Sequence, residues 1–453
     1  MRVHFIAIGG SAMHNLAIAL HKKGFEVTGS DDEIFEPSKS RLDKYNLLPE
    51  KEGWYEQNIT NDIDAVILGM HARPDNLELK KAQELGLKIY SYPEYIYEQT
   101  KDKKRVVIGG SHGKTSITAM ILHVLHYHKI NCDYMVGAQL EGFDTMVKLT
   151  DEAKLVILEG DEYLSSPIDR RPKFHLYKAD VGLVSGIAWD HINVFPTFEN
   201  YLDQFRFFVN ELPNDGIFIY CSLDENLKNI ALETDSNAKQ LPYGIPKNEI
   251  KNGTTFLKTP EGEIPLKIFG DHNLQNLAGA GLVCHELGMS YEQFYEAIQS
   301  FTGASKRLEL IAKNDKTAIY KDFAHSPSKL KATINAVKNQ YPERKLVACM
   351  ELHTFSSLTQ EFLKEYEGAM DAADYPIVYF NPETIKHKKL PEISKSQIKS
   401  AFGNEHIAVY TNSNQLTAIL SEEKWEAKNL LLMSSGNFDG VNLNAFGKSL
   451  VDV

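Results

Sequence analysis

The stretch Val106-Val107-Ile108-Gly109-Gly110-Ser111-His112-Gly113-Lys114-Thr115-Ser116 decides how the rest of the chain is read. Its β-branched run predicts a buried strand, its glycines a tight loop, and the apolar residues 117–125 a helix that starts where the loop ends. Such a loop lets main-chain amides approach phosphate oxygens, and the helix N-terminus adds partial positive charge. Lys114 then offers a point charge to β- and γ-phosphates, and Thr115 a hydroxyl to Mg²⁺. The general pattern wants a glycine five residues before Gly113, where this chain has Ile108. The strand–loop–helix context still predicts a nucleotide-phosphate loop rather than a chance glycine turn.

Working outward, apolar runs of strand length alternate with helix-length segments in both directions, the pattern of parallel sheets covered by helices. On the N-terminal side strands are predicted at 3–8, 25–29, 65–68 and 87–90, with a helix from the Gly9-Gly10 turn to about residue 23 and another at 75–86. The polar stretch Gln99-Thr100-Lys101-Asp102-Lys103-Lys104 reads as a linker. On the C-terminal side the phosphate-loop block continues through strands at 105–108, 155–158, 181–184 and 217–220, a hairpin turning at Pro260-Glu261-Gly262, and helices at 273–287 and 291–301. A last block has strands near 317–321, 345–350, 376–380, 406–410 and 429–433. The 453 residues divide into about three domains of roughly 150 residues each. The expected boundaries are 1–103, 104–303 and 304–453, and the expected class is α/β with three domains, the outer two Rossmann-like and the central one a P-loop ATPase with a mostly parallel sheet.

Composition narrows the function. A net charge of −12, from 49 Lys plus Arg against 61 Asp plus Glu, argues against a nucleic-acid partner, which would need a basic face. It leaves room for phosphorylated small ligands held by a few amides and one or two lysines. No run approaches the ~20 apolar residues that cross a bilayer, and the N-terminus lacks a signal-like stretch, so no membrane partner and a cytoplasmic location are expected. The four cysteines form no CxxC pair, which argues against a disulfide framework or a zinc knuckle.

Further candidate site residues lie at strand ends, where α/β proteins bind ligands. Strand 155–158 runs into Glu159-Gly160-Asp161-Glu162, and one such carboxylate with nucleotide phosphates suffices for Mg²⁺. Strand 181–184 delivers Trp189-Asp190-His191 a few residues beyond its end. The first glycine turn, Gly9-Gly10-Ser11-Ala12-Met13-His14, lacks the full GxGxxG, and Asp31 stands where a ribose-binding carboxylate belongs. An NAD site and a site for another diphosphate-bearing nucleotide both fit that turn. His123, His126 and His128 share one helix with no fourth ligand nearby and read as ordinary surface.

Taken together these segments resemble the Mur ligases, and the likeness spans the whole chain. Gly110-Ser111-His112-Gly113-Lys114-Thr115-Ser116 is similar to their G-T-x-G-K-[ST]-[ST] loop, Glu159–Glu162 to E-A-D-E, and Asp190-His191 to a D-H pair. Gly270-Asp271-His272-Asn273-Leu274-Gln275-Asn276 resembles G-x-H-N-x-x-N. Lys306-Arg307-Leu308-Glu309 and Asp322-Phe323-Ala324-His325-Ser326-Pro327 resemble R-R-[LF]-[EQ] and D-[FY]-A-H-H-P, with Lys306 and Ser326 as departures. Within the family, Glu162-Tyr163 followed by Asp169-Arg170-Arg171-Pro172-Lys173-Phe174, and the segment Ser434–Gly440, resemble the branch that attaches a whole peptide. Glu351-Leu352-His353-Thr354-Phe355 is closer to the branch that adds L-alanine, but the arginines expected just after it are missing.

The resemblance implies an ATP-driven ligase that joins an amino acid or peptide amine to UDP-N-acetylmuramic acid in a bacterial cytoplasm, with ATP as co-substrate and two Mg²⁺ ions. It implies that Gly110, Ser111, His112, Gly113, Lys114, Thr115 and Ser116 hold phosphate, and that Thr115, Glu159 and His191 hold metal. Asn273 and Asn276 would contact adenine, Arg307 phosphate, Asp322 the ATP ribose, and His325 the substrate. Gly9, Gly10, Ser11, Asp31 and His71 would hold the UDP-sugar. Lys114, Glu159, His191 and His325 are the catalytic set. A monomer or weak homodimer is expected. Some relatives carry a carbamylated lysine on the helix after the D-H pair; residues 201–208 contain no lysine, and Arg206 stays protonated, so no carbamate is expected. Two rival readings stay open: a nucleotide-binding relative that lost ligation, and an NAD-linked oxidoreductase, for which a second phosphate loop would be superfluous.

Overall fold

The computed structural model of the chain describes residues 1–70, 72–189, 194–304 and 307–451. It forms two compact units, one of Met1–Gly244 with Gln275–Ile298 and one of Ile245–Leu274 with Gln299–Val453.

The first unit contains two sheets. A four-stranded, wholly parallel sheet runs in the order Glu26–Ser30, Arg2–Ile6, Ala65–Leu68, Ile89–Ser91. Parallel neighbours need long crossovers, here including the helices Ser11–Lys22 and Leu77–Glu84. A seven-stranded sheet follows in the order Lys239–Tyr243, Ile217–Cys221, Val181–Val184, Lys104–Gly109, Leu155–Glu159, Asp133–Met135, Val147–Lys148. Only its last pair is antiparallel. The phosphate-loop strand Lys104–Gly109 is therefore central, and Val106, Val107, Ile108, Ile157 and Leu158 are fully buried. The helix Lys114–Tyr127 covers it with Ile117, Met120, Ile121 and Val124. The two sheets are tied through Asn15, whose Oδ1 accepts the Met146 N–H at 3.0 Å, and through Arg41, which donates to Gln139 Oε1 at 2.9 Å.

The stretch 99–104 is not the linker its polarity suggests. The helix Tyr92–Thr100, started by a capping box of Ser91 and Glu94, runs through Gln99 and Thr100, and Lys104 already belongs to the next strand. Only residues 101–103 form a turn, and both flanking sheets lie in the same unit. The polarity belongs to a solvated helix end, which composition alone does not separate from a loop.

The second unit holds a six-stranded sheet in the order Glu309–Lys313, Ala318–Asp322, Lys428–Met433, Lys345–Glu351, Tyr375–Tyr379, Ala408–Tyr410. Its first strand is antiparallel and the others parallel. The antiparallel sheet Asn248–Lys251, Thr254–Thr259, Gly262–Leu266 belongs to the same unit and is tied to it by Thr255 Oγ1 donating to Gln340 Oε1 at 2.9 Å. Strands such as Asp133–Met135, Asn248–Lys251 and Glu309–Lys313 are not evident in the sequence pattern. They are short or partly polar, and pairing to a neighbour, rather than local propensity, makes them strands.

The four cysteines are buried and none forms a disulfide. Among the described residues no helix is long and apolar enough to cross a membrane.

Candidate active site

Strand register assembles the site. Ile108 pairs with Glu159 and Gly109 with Val184, so the phosphate loop, the acidic segment and Ser185 emerge at one sheet edge. Ile108 explains the missing glycine of the general pattern: it is still a buried strand residue, and the turn begins after it. Gly110 and Gly113 adopt φ of 121° and 81°, in the left-handed region. A Cβ at Gly110 would lie 2.4 Å from Ser185 Oγ, and one at Gly113 2.5 Å from Asn276 Oδ1. The loop is locked to the neighbouring strand by Ser111 N–H donating to Gly186 O at 2.9 Å and by Ser185 Oγ donating to His112 O.

Lys114 opens the helix. Its ammonium donates to Gly110 O at 2.6 Å and to Glu162 Oε2 at 2.7 Å. Burial alone would lower its pKa, but the carboxylates of Glu162, Asp161 and Glu159 outweigh it and hold the ammonium above the usual lysine value. Glu162, 1% exposed, also accepts from Tyr201 OH at 3.1 Å, and Tyr201 OH lies 2.8 Å from Ser111 Oγ. Since a carboxylate only accepts, the phenol donates to Glu162 and accepts from Ser111, whose oxygen in turn accepts the Ala188 N–H at 2.9 Å. Glu162 stood in the acidic motif, but Tyr201 had no signal beyond its place on an amphipathic helix.

Thr115 Oγ1 donates to Glu159 Oε1 at 2.8 Å, and the Gly137 N–H to Glu159 Oε2 at 2.8 Å. A Cβ at Gly137 would lie 2.7 Å from Glu159 Oε1, so only glycine allows this approach. Burial pushes the Glu159 carboxyl up, opposed by the Gly137 amide, Lys114 and Thr115. Two hard oxygen donors next to a phosphate loop, one of them a carboxylate that gains from a nearby cation, fit Mg²⁺. Among the described residues no group of three or more His, Cys, Asp or Glu is arranged to hold a metal ion by itself, so an ion at Thr115 and Glu159 would take further ligands such as phosphate and water.

A cleft of about 420 Å³ joins this edge to the first glycine turn. It is lined by Gly10, Ser11, Ala12 and Met13 at the start of one helix and by Lys114, Glu159, Asp161 and Lys173. Asp31 is placed differently from a free ribose carboxylate. Its Oδ2 accepts the Gly9 N–H at 2.7 Å and its Oδ1 the Asp32 N–H at 3.0 Å, so the carboxylate holds the turn itself. Burial pushes it up to about 6, against the Gly9 amide. Its folded pKa thus exceeds the unfolded value. Between about pH 4 and 6 the folded chain keeps a proton that the unfolded chain releases, and stability falls as pH rises through that window. Asp31→Asn, whose amide oxygen still accepts from Gly9, is expected to gain stability relative to the parent over the same window and to level off above it. Urea unfolding at pH 4.5, 5.5 and 7.5 measures this; a constant difference would refute it.

The second unit groups three further candidates. The Arg307 guanidinium lies 4.9 Å from the Phe323 ring centroid. Asp322 accepts the N–H groups of Leu308 and Ala324 at 2.5 and 2.6 Å, and burial pushes it up to about 6 against those amides and Arg307. His325 Nδ1 lies 2.8 Å from Phe323 O. Asn273 donates to Phe269 O at 3.0 Å and is buried, while Asn276 stands against Gly113. His71, Asp190, His191 and Lys306 lie outside the described residues. The histidine row behaves as packing: His123 Nε2 and His128 Nε2 lie 3.1 and 2.8 Å from the carbonyl oxygens of Ala297 and Gln293.

Comparison with known proteins bears on the family. The sequence matches the catalytic domain of the Mur ligase family over residues 2–104, the Mur ligase middle domain over 108–284, and the Mur ligase glutamate ligase domain over 306–436. It is 29% identical over 413 residues to a UDP-N-acetylmuramate–L-alanine ligase of Clostridium kluyveri, covering 88% of this chain and 87% of that protein. Among solved structures it is similar to a UDP-N-acetylmuramate–alanine ligase of Thermotoga maritima, with TM-score 0.71 and 19% identity over 100% of this chain and 98% of that one. It is likewise similar to a murein peptide ligase of Psychrobacter arcticus, with TM-score 0.65 and 20% identity over 100% and 99% of the two chains. With three domain matches that follow one another along the chain, it belongs to the Mur ligase family, ATP-dependent enzymes that form carbon–nitrogen bonds in peptidoglycan synthesis.

Proposed function

We propose that the enzyme joins a peptide amine, of the L-Ala-γ-D-Glu-meso-diaminopimelate kind, to the lactyl carboxylate of UDP-N-acetylmuramic acid, in peptidoglycan recycling. The observation that carries the ligation chemistry is the single cleft onto which a helix N-terminus, Lys114 and Glu159 all open. A carboxylate is a poor electrophile because oxide leaves badly. In the proposed reaction its oxygen attacks the γ-phosphorus of ATP, the bond to the β-phosphate oxygen breaks, and ADP leaves an acyl phosphate. The amine, having lost its extra proton, attacks the carbonyl carbon, and inorganic phosphate departs with the C–O electrons.

The protein's share is positioning and neutralisation of converging negative charge. The amides of Ser11, Ala12 and Met13 suit the sugar nucleotide's diphosphate. The loop Gly110–Ser116 and Lys114 suit the phosphates of ATP, with Lys114 exchanging Glu162 for phosphate oxygen. Thr115 and Glu159 would hold one Mg²⁺, and His191 is assigned a second; bound ions would neutralise phosphoryl oxygens. In this reading Asn273 and Asn276 serve adenine, Arg307 and Asp322 the phosphates and ribose, and His325 the amine substrate. Gly9, Asp31 and His71 complete the UDP-sugar site.

A peptide is preferred to L-alanine because of where a carboxylate would lie relative to the reacting amine. The free amino acid has its carboxylate one carbon from the amine and calls for a cation there. Residues 351–359, which resemble the L-alanine segment, contain no Lys or Arg. Thr354 and Ser357 instead bond to each other, with Ser357 N–H donating to Thr354 Oγ1 at 3.1 Å. A second reading, L-alanine as the amine, is favoured by the names of the curated relatives such as that of Clostridium kluyveri. Incubation with ATP, Mg²⁺, UDP-N-acetylmuramic acid and a panel of L-alanine, dipeptide, tripeptide and tetrapeptide separates the two. We expect phosphate release that needs both sugar nucleotide and tripeptide, with a product mass equal to their sum less one water. Product with L-alanine alone would establish the second reading, and no amine-dependent release would leave only a nucleotide binder.

A further inference from the structure

We propose that Lys173 is the cation that recognises the carboxylate of the sugar nucleotide, and that Asp161 holds it ready in the cleft. The inference rests on the ligation reading above and names one specificity-determining residue for it. Charge on the cleft wall motivates it. Among the described residues the charged side chains lining the cleft are Lys114, Glu159, Asp161 and Lys173. Lys114 is engaged by Glu162 and Gly110 O and is suited to the nucleotide phosphates. Glu159 is turned to Thr115 and Gly137. Among the described residues Lys173 is thus the cleft cation not already engaged at the loop Gly110–Ser116.

Its surroundings leave it capacity to bind. The Lys173 ammonium donates to Asp161 Oδ2 at 2.6 Å, and Nζ sits 5.9 Å from the Tyr163 ring centroid. An ammonium has three N–H donors, and among the described residues Asp161 takes one of them. The pair is not sealed: the two side chains are 24% and 39% exposed. The backbone that carries Lys173 is nevertheless anchored. Residues 161–173 fold back on themselves through a bridge of Leu164 with Pro172, through Lys173 N–H donating to Tyr163 O at 3.0 Å, and through Phe174 N–H donating to Asp161 O at 3.2 Å. Phe174 is fully buried and stacks on Phe208 with ring centroids 4.8 Å apart. A lysine fixed at its backbone, paired on one side and open on the other, suits an anionic group that must first bind and then leave its charge behind as acylation proceeds.

UDP-N-acetylmuramic acid and UDP-N-acetylglucosamine test this directly, since they share nucleotide and sugar and differ by the lactyl carboxylate. Calorimetric binding is measured with Mg²⁺ and a non-hydrolysable ATP analogue present. The parent is expected to prefer the carboxylated ligand. Lys173→Met is expected to weaken UDP-N-acetylmuramic acid by about ten- to a hundredfold, the worth of a charge-assisted hydrogen bond, while UDP-N-acetylglucosamine affinity stays. Lys173→Arg, which keeps the charge, is expected to retain the preference. If the parent prefers the carboxylated ligand and Lys173→Met prefers it equally, the inference fails and the ligation reading stands. If Lys173→Met and Lys173→Arg both weaken the two ligands alike, Lys173 is structural and the inference also fails. If the parent binds both nucleotides alike, the inference fails, and the phosphate-release panel above decides the ligation reading separately.

Discussion

Lys114→Ala is expected to lower ATP-dependent ligation by at least about a thousandfold, the upper range for removing one preorganised donor from a developing anion. The lysine stands at the first position of its helix, where the loop amides already face one way, and its ammonium reaches Gly110 O and Glu162. Alanine removes the one mobile positive charge of that loop, and water cannot replace it at a site this enclosed. There is also a folding cost. Glu162 is 1% exposed and loses the Lys114 ammonium while keeping the Tyr201 hydroxyl, so a loss of roughly 1–3 kcal/mol is expected from removing a charge-assisted hydrogen bond to a buried carboxylate. Binding of UDP-N-acetylmuramic acid, which is assigned to the Gly10–Met13 end of the cleft, separates the two effects. Steady-state phosphate release together with sugar-nucleotide binding checks the prediction. Ligation near the parental rate would overturn the phosphate-loop assignment.

For Glu159→Gln the expected results move in opposite directions. Ligation should fall roughly a hundredfold or more, with the Mg²⁺ concentration for half-maximal rate raised at least about tenfold, because a neutral amide is a far weaker ligand for a hard cation. Stability without metal should not fall. The Glu159 carboxyl is raised above its unfolded value by burial, so in the metal-free chain stability is lost as pH climbs from the unfolded pKa through the folded one. Glutamine can still accept from Thr115 or Gly137 and carries no charge to desolvate. The melting temperature of the variant at pH 8 without metal is therefore expected to equal or exceed that of the parent. A variant that melts well below the parent would mean that Glu159 holds the fold and not an ion.

These outcomes bear on how much of the site can be read from sequence. The phosphate loop was legible because its chemistry is local: strand, glycines, lysine and helix follow one another, and their roles depend on spacing along the chain. Glu159 was legible as the residue that ends a strand. The partners of these groups were not. Tyr201 lies 90 residues from Ser111 and Lys114 lies 48 from Glu162, and no periodicity relates them. Asp31 was recognisable as a carboxylate after the second strand, but the choice between ribose and the Gly9 amide depends on how closely the first turn approaches it.

By itself the sequence determined the α/β class, the order of the parallel strands' phosphate-binding turns, the identity of Lys114 and Thr115, and membership of a ligase family, because each follows from local patterning or from motifs in order. Tertiary structure decided what those residues face. The register of Ile108 with Glu159 sets the carboxylate beside the loop, and the packing of the two sheets of one unit opens the Gly10–Met13 helix start and Lys114 onto a single cleft. The physical reason is that hydrogen bonds and charges act over a few ångströms of space, whereas the chain brings their partners from tens of residues away.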